Sequence, residues 1–575
     1  MYILGISCYY HDSAACLLKD GIIIAAAEQE RFSRKKHDNS FPKEASLYSL
    51  KEAGITIKDV DYVAFYEKPL LKFERLLSQY LEVFPRGFWS FYKAMPSWLH
   101  EKLRFPSMLK KHLKYKGEIL FIEHHLAHAA SAYLVSPFKE ASIFTIDGVG
   151  EWTTASIGYA KDNNITITKE IVFPHSLGLL YSTITAYLGF KVNNDEYKVM
   201  GLAAYGKPTY YEQLKKVIRI ASDGSFQLDM SYFDFHYKMR MPSKKFIKEF
   251  GPVRKKESKI DQVYKDMACS LQKITEEVIF KILNNLYKET GVKNLCMAGG
   301  VALNSVANGK ISKNTAFKKM FIQPAASDAG AAMGAAFYAY NTILRNKRKQ
   351  VLKDVYFGSG FSRVEIKGFL DSRKIKYVEF TESEIIRKTA KLILKDDVVG
   401  WFQGRMEWGP RALGNRSILA NPLNPNMKDI LNAKVKHREM FRPFAPVVTW
   451  EDAKEYFEVD REVPYMLFVY PVKKNKRKLI PSVTHIDGSG RLQTIKKEQN
   501  KKYYALIKEF EKLSGVPILI NTSFNIRGEP IVCTPEEAYR CMMGTGIDYL
   551  VMNNFLIARN DNPQDMWDSE NIAKD

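Results

Sequence analysis

Two histidines four residues apart, His124 and His128, stand in the run Glu123-His124-His125-Leu126-Ala127-His128-Ala129-Ala130, which has the composition of a helix. At that spacing both imidazoles fall on one helix face, which is half of a metal site. Carboxylates could complete it: Asp147 ends a strand-like run and Asp328 begins a helical one. Two nitrogens with two carboxylate oxygens suit a divalent transition metal. The same spacing equally serves two histidines that only pack or face solvent, and convergence with Asp147 and Asp328 is left open. His11-Asp12-Ser13 occupies the tight connection after the first strand-like run. A histidine there could act as a general base, while Asp and Ser also simply form turns.

A second set of residues points to phosphate. Arg405, Arg411, Arg416, Lys436, Arg438, Arg442, Arg491 and Arg527 lie among Gly, Pro, Asn and Ser rather than on amphipathic helices. Guanidinium groups grip phosphate oxygens in pairs and lysine adds a mobile charge, which suits in-line displacement at a phosphate assisted by magnesium. Asn521 and Ser523 add amide and hydroxyl groups after the apolar run 516–520. Taken singly, each arginine also fits a surface ion pair. Gly299-Gly300-Val301-Ala302-Leu303-Asn304 follows a strand-like run and leads into a short helical one. Glycines there let backbone N–H groups approach a ligand, and a strand, a Gly-Gly turn and a helix N-terminus would make an anion or nucleotide cradle.

The elements that must position these groups are legible as alternating patterns. Residues 2–8, 14–18 and 22–28, the last two joined by Lys19-Asp20-Gly21, read as a strand and a hairpin. The unit returns at 141–147, 153–159 and 165–171. A repeated three-strand unit predicts a duplicated fold, the way the actin, hexokinase and sugar-kinase architecture holds a nucleotide between two lobes. Helices are expected from Ser327 to Ala339 and from Glu382 to Leu394. Residues 73–116, rich in aromatic and basic side chains, and 208–260 read as insertions, either a substrate cap or ordinary helical packing. The expected division is 1–345, a linker at 346–358, and a second α/β domain at 359–575.

At 575 residues the chain exceeds what one core usually supports. With 46% hydrophobic and 26% charged residues it reads as globular. Its longest apolar runs fall short of the roughly 20 residues of a membrane span, and the opening Met1-Tyr2-Ile3-Leu4-Gly5-Ile6 lacks the features of a secretory signal, so a cytoplasmic location is expected. The six cysteines contain no C-x-x-C pair, which argues against a disulfide framework or a structural zinc. The net charge of +22 suits anionic ligands, but no nucleic-acid-binding motif accompanies it.

The sequence resembles the antibiotic and nodulation O-carbamoyltransferase family. The resemblance rests on Gly5-Ile6, Glu28-Gln29-Glu30-Arg31-Phe32-Ser33, the stretch 124–133, Glu196-Tyr197-Lys198-Val199-Met200-Gly201-Leu202 and Gly299 to Asn304. It continues through Trp408 to Ser417, Phe441-Arg442-Pro443-Phe444-Ala445-Pro446 and Asn521 to Pro530, and so spans nearly the whole chain. It implies an actin-like N-terminal domain similar to the tRNA threonylcarbamoyl transferases, fused to a YrdC-like C-terminal domain. In such enzymes carbamoyl phosphate is hydrolysed to carbamate, which attacks the α-phosphate of ATP. The resulting carbamoyl adenylate passes internally to the other site, where iron(II) and a histidine loop serve transfer to a hydroxyl.

By the same resemblance, His124, His128, Asp147 and Asp328 are expected as metal ligands, and His11 with Asp12 as the acid/base loop. Gly299, Gly300, Val301 and Asn304 would hold nucleotide. Arg411, Lys436, Arg442, Arg491, Asn521 and Ser523 would bind carbamoyl phosphate and Mg-ATP. The expected partners are carbamoyl phosphate, ATP and a hydroxylated small-molecule acceptor, with neither membrane nor nucleic acid; a homodimer is left open. Two rival readings share parts of the pattern: a tRNA threonylcarbamoyladenosine-forming enzyme and a non-catalytic actin-like ATP-binding scaffold.

Overall fold

The computed structural model describes residues 1–100, 102–238 and 240–563. The chain divides into two compact units: Met1–Gln29 with His37–Leu352, and Glu30–Lys36 with Lys353–Asp575. The seven residues Glu30–Lys36, which the sequence reading leaves with the N-terminal part, are held in the second unit by their arginines. Arg31 donates to the Gly409 carbonyl at 2.9 Å, and Arg34 to those of Pro530 and Ile531 at 2.8 Å each.

The first unit contains two five-stranded sheets of the same design. In one, β1 (Tyr2–Ser7), β2 (Ala14–Lys19) and β3 (Ile22–Glu28) form an antiparallel meander, and β4 (Tyr62–Phe65) and β5 (Glu118–Phe121) extend it in parallel from β1. In the other, β6 (Glu140–Ile146), β7 (Thr153–Lys161) and β8 (Asn164–Val172) repeat the meander. A small hairpin, β9 (Ile218–Ile220) with β10 (Phe226–Leu228), precedes the parallel pair β11 (Asn294–Ala298) and β12 (Lys319–Phe321). The two sheet orders, β3-β2-β1-β4-β5 and β8-β7-β6-β11-β12, correspond strand for strand. This is the duplicated topology of the actin-like fold, and it agrees with the repeat legible in the sequence.

Small side chains bring the site-bearing helices together. The helix Asp328–Phe337 has the sequence DAGAAMGAAF and every residue in it is buried. It packs on the helix His124–Tyr133, and a Cβ at Gly334 would lie 1.8 Å from the Ala127 carbonyl oxygen. Only glycine permits that approach, and it draws Asp328 toward His124 and His128.

The insertion at 73–116 is helical, with helices Pro69–Glu82, Phe88–His100 and Phe105–Leu113. Among the described residues no helix is long and apolar enough to cross a membrane.

The second unit is built on a nine-stranded mixed sheet. Its strands are β13 (Val378–Glu379), β14 (Val399–Phe402), β15 (Arg416–Ala420), β16 (Ala445–Thr449), β17 (Phe468–Pro471), β18 (Ser489–Ile495), β19 (Ile518–Ser523), β20 (Tyr549–Met552) and β21 (Phe555–Ala558). They run in the order β13-β21-β20-β14-β15-β19-β16-β18-β17. The helices Glu382–Leu394 and Lys501–Ser514 pack their apolar faces, including Ile385, Ile393, Leu506 and Phe510, with Trp401, Val447 and Leu519 of the sheet. The first of these helices opens on a capping box, Thr381 with Glu384.

Candidate active sites

His124 and His128 lie on the helix His124–Tyr133, Asp147 directly after β6, and Asp328 at the start of its own helix. The fold brings all four together. The Nε2 atoms of the two histidines are 3.0 Å apart, His124 Nε2 is 3.2 Å from Asp147 Oδ2, and His128 Nε2 is 3.4 Å from Asp328 Oδ1. One ligand atom from each residue lies within 4.8 Å of all the others. The four are buried, at 0, 0, 6 and 1% exposure.

A direct hydrogen-bond network explains this arrangement poorly. Each Nε2 carries at most one proton, yet each faces the other imidazole and two carboxylates. Asp328 Oδ2 has no partner. A cation at the centre would satisfy all four groups, and two imidazoles with two carboxylates are the donor chemistry of a divalent transition metal. The residues present therefore fit a metal.

The cluster's charge is held in place. Burial opposes ionisation of Asp147, but the His124 hydrogen bond, the nearby His128 and the Gly300 N–H outweigh it and keep its pKa well below the usual carboxylate range. Burial likewise works against a charged His124, and Asp147 and Asp328 reverse it, pushing the pKa up to about 9. Glu151 accepts the backbone N–H of His124 at 3.1 Å and that of Lys68 at 2.8 Å, fixing the start of the histidine helix. His125, between His124 and His128 in the chain, contacts Thr145 Oγ1 at 2.6 Å, and burial pushes its pKa well down.

The loop after β1 carries a second cluster. Asp12 Oδ2 is 3.1 Å from His11 Nδ1, while Oδ1 is 2.8 Å from His37 Nδ1, and Ser327 Oγ donates to Oδ2 at 3.2 Å. The other nitrogen of His37 meets Asn194 Oδ1 at 2.8 Å. Burial disfavours the His11 imidazolium, but Asp12 outweighs it and raises the pKa to about 10. His37 is a member that sequence reasoning missed; its signal was its place in the motif-rich stretch that follows β3.

Gly299 and Gly300, the turn of the cradle read in the sequence, lie against Ile146 and Asp147. Gly300 N–H donates to Asp147 Oδ1 at 2.7 Å, orienting the candidate ligand. Gly299 stands at φ +96°, and a Cβ there would meet the Ile146 carbonyl at 2.2 Å. Asn304 caps the short helix Ser305–Asn308 through Ala307 N–H and exchanges hydrogen bonds with Gln272. Val301 lies between them in a 3-10 turn, half-buried.

In the second unit Lys436 is 3% exposed. Its ammonium donates to the Ser523 carbonyl and to Asn525 Oδ1 at 2.8 Å. Burial, then Arg438 and Arg442, push its pKa well down against a smaller opposing effect of Cys541. Asn521, in β19, donates to Gln493 Oε1 at 2.7 Å and to the Ala412 carbonyl at 3.2 Å. That contact sets it beside Arg411's neighbour and beside β18, where Arg491 shares Gln493's face by the two-residue alternation of a strand. Arg442 pairs with Glu439 at 3.2 Å.

Not every loop arginine belongs to this set. Arg416, fully buried, donates to the carbonyls of Gln403, Asn415, Ser359 and Gly404, and Arg405 to those of Phe357 and Gly358. Both tie loops together. Glu407, also missed in the sequence, accepts the backbone N–H groups of Leu413, Asn415 and Arg416 on a single oxygen and so shapes the 408–417 loop.

Residues 2–337 match the family model described as carbamoyltransferase N-terminus, and residues 390–559 the one described as carbamoyltransferase C-terminus. This chain belongs to the carbamoyltransferase family. The carbamoyltransferase is 48% identical over 599 residues to an uncharacterized protein of Synechocystis, covering 98% of this chain and 97% of that one. It is 37% identical over 580 residues to the nodulation protein NolNO of Sinorhizobium fredii, covering 97% and 80%. Among solved structures, component A of the (R)-2-hydroxyglutaryl-CoA dehydratase of Acidaminococcus fermentans matches 60% of the carbamoyltransferase and 99% of that chain, at 16% identity and a TM-score of 0.33. The actin-like assignment of the first unit stands on its sheet topology.

Proposed function

We propose that this carbamoyltransferase makes carbamoyl adenylate from carbamoyl phosphate and ATP in its C-terminal part, residues 359–575, which we read as YrdC-like. Residues 1–345 then transfer the carbamoyl group to a hydroxyl of a small-molecule natural product or glycan. The observation that carries the activating half is buried Lys436, whose charged form is opposed by burial and by the neighbouring Arg438 and Arg442. Lys436, Arg438 and Arg442 repel one another in the free protein, and an oligophosphate removes that repulsion.

The chemistry balances in three steps. Water converts carbamoyl phosphate to carbamate and phosphate. A carbamate oxygen attacks the α-phosphorus of ATP and expels pyrophosphate. The acceptor hydroxyl then attacks the carbamoyl carbon, AMP leaves with the bridging oxygen, and the hydroxyl proton passes to a base. Arg411, Lys436, Arg442 and Arg491 neutralise phosphate charge in the displacement, while Asn521 and Ser523 orient it. In the transfer half, His124, His128, Asp147 and Asp328 would hold the metal, which we take as iron(II) from the family resemblance. When bound it would supply Lewis-acid polarisation of ligand oxygens. Asp12 holds His11 as a charged donor able to balance negative charge on the departing phosphate, and His37 fixes the far side of Asp12. Gly299, Gly300, Val301 and Asn304 would shape the nucleotide side of this site.

The test needs no acceptor: purified protein, ATP, magnesium and carbamoyl phosphate, with pyrophosphate and carbamoyl-AMP followed by mass spectrometry. Pyrophosphate released only with carbamoyl phosphate, and lost in Arg442→Ala, is the expected result. Adenylate formed instead from threonine and bicarbonate would overturn the proposal in favour of tRNA modification.

A further inference from the structure

The helix Pro69–Glu82 starts at the metal-ligand cluster, because Glu151 accepts both the N–H of Lys68, its N-cap, and that of His124. Three side chains of this segment face inward, Pro69, Lys72 and Arg75. Lys72 is neutralised by a buried ion pair with Glu67, and its ammonium also sits 4.9 Å over the ring of Tyr10. The Tyr10 hydroxyl in turn reaches Gly148, the residue after Asp147, coming within 3.5 Å of where a Cβ would stand.

Arg75 has no such counter-ion. It is 6% exposed, its Nε has no hydrogen-bond partner, and it stacks on Phe173, whose ring centre lies 4.9 Å from the guanidinium carbon. Among the described residues no carboxylate comes within ion-pair distance of it; Glu67 and Glu151 act on it only from farther off. An uncompensated buried cation is strongly unfavourable. Two other buried cations of the same unit have carboxylate partners, Lys72 with Glu67 and Lys198 with Asp195 at 3.0 Å, and buried Arg254 donates to the Leu188 and Ser258 carbonyls.

We infer that Arg75 is an oxyanion-binding residue of the transfer site, presenting its guanidinium to a phosphate or carboxylate group of a bound ligand. From Lys68 to Arg75 the helix rises about 10 Å, a distance a nucleotide monophosphate or a sugar-sized acceptor spans. A planar guanidinium backed by an aromatic face takes an oxyanion in bidentate fashion. The oxyanion is either the phosphate of the adenylate or an acidic group on the acceptor. The assignment of Arg75 to transfer rests on the function proposed above; the anion-binding role itself does not.

The test uses the full-length chain as wild type, Arg75→Gln and Arg75→Lys, each carrying Arg442→Ala to weaken the phosphate cluster of the second unit. Binding of two matched pairs is measured by calorimetry: AMP against adenosine, and glucuronate against glucose. If the oxyanion is the nucleotide's, Arg75→Gln weakens AMP at least tenfold and leaves adenosine unchanged. If it is the acceptor's, the same loss falls on glucuronate alone. In either case Arg75→Lys recovers part of the affinity. Wild type showing no preference for the charged member of either pair, or Arg75→Gln retaining the preference, overturns the inference and leaves Arg75 a packing partner of Phe173. Carbamoyl-phosphate-dependent pyrophosphate release by the unmodified chain is measured alongside. Its absence would count against the proposed function without obscuring the binding result.

Discussion

Asp147→Asn replaces one carboxylate oxygen with an amide NH2 and changes little else. Both oxygens are in use: Oδ1 accepts the Gly300 N–H at 2.7 Å and Oδ2 faces His124 Nε2 at 3.2 Å. The substituted amide can keep its oxygen toward Gly300 only by turning the NH2 toward the two imidazoles. One charge-assisted contact in a buried cluster is then lost, about 1.5–3 kcal/mol, or roughly 10–100-fold in affinity at 1.4 kcal/mol per decade. The assay is anaerobic titration with iron(II), read as bound metal after dialysis and as the metal-induced rise in melting temperature. Wild type should retain metal and be stabilised by it, and the Asp147→Asn protein should need roughly 10–100-fold more metal for the same shift. Identical metal binding by both proteins would refute the ligand assignment. Failure of iron(II), zinc or manganese to stabilise the wild type would refute the metal site itself.

His128→Ala should abolish carbamoyl transfer while carbamoyl-phosphate-dependent pyrophosphate release continues, checked by following both products in one reaction. Lys436→Met should do the reverse, losing pyrophosphate release while retaining metal. Because Lys436's pKa is depressed in the free fold, a bound phosphate dianion should restore the proton. Carbamoyl phosphate affinity should therefore fall as pH rises from that depressed value toward the ordinary lysine pKa of about 10.4, a dependence absent in Lys436→Met. The sign for stability is opposite: the unliganded fold gains stability over the same pH rise, since the unfolded chain binds the proton more tightly. Gly334→Ala should separate the helices that carry the histidines and Asp328, since its Cβ would lie 1.8 Å from the Ala127 carbonyl. Its unfolding midpoint in urea should drop by the equivalent of about 2 kcal/mol or more, with weakened metal retention.

The residues of the candidate sites were legible in local patterns. Histidines at helical spacing, the repeated meander and the arginine-bearing loops are all written within short stretches, where neighbours in sequence are neighbours in space. That locality is why the helix His124–Tyr133 and the three-strand meander of each sheet could be read from the sequence, while the parallel strands Tyr62–Phe65, Glu118–Phe121 and Lys319–Phe321 could not. The identity of each arginine's partner was not: Arg411 and Arg416 look alike in one loop, yet Arg416 spends its donors on four backbone carbonyls.

Sequence alone determined which side chains were available and the secondary structure that carries them, because hydrogen-bond periodicity and apolar spacing act over a few residues. Tertiary structure decided which of them meet. Asp328 reaches His128 because a helix of small residues lets two backbones touch at Gly334. His37 joins Asp12 across 25 residues, and Arg75 ends buried beside Phe173 without a counter-ion. Those outcomes depend on packing and on the cost of burying charge, which are properties of the whole fold and not of any segment.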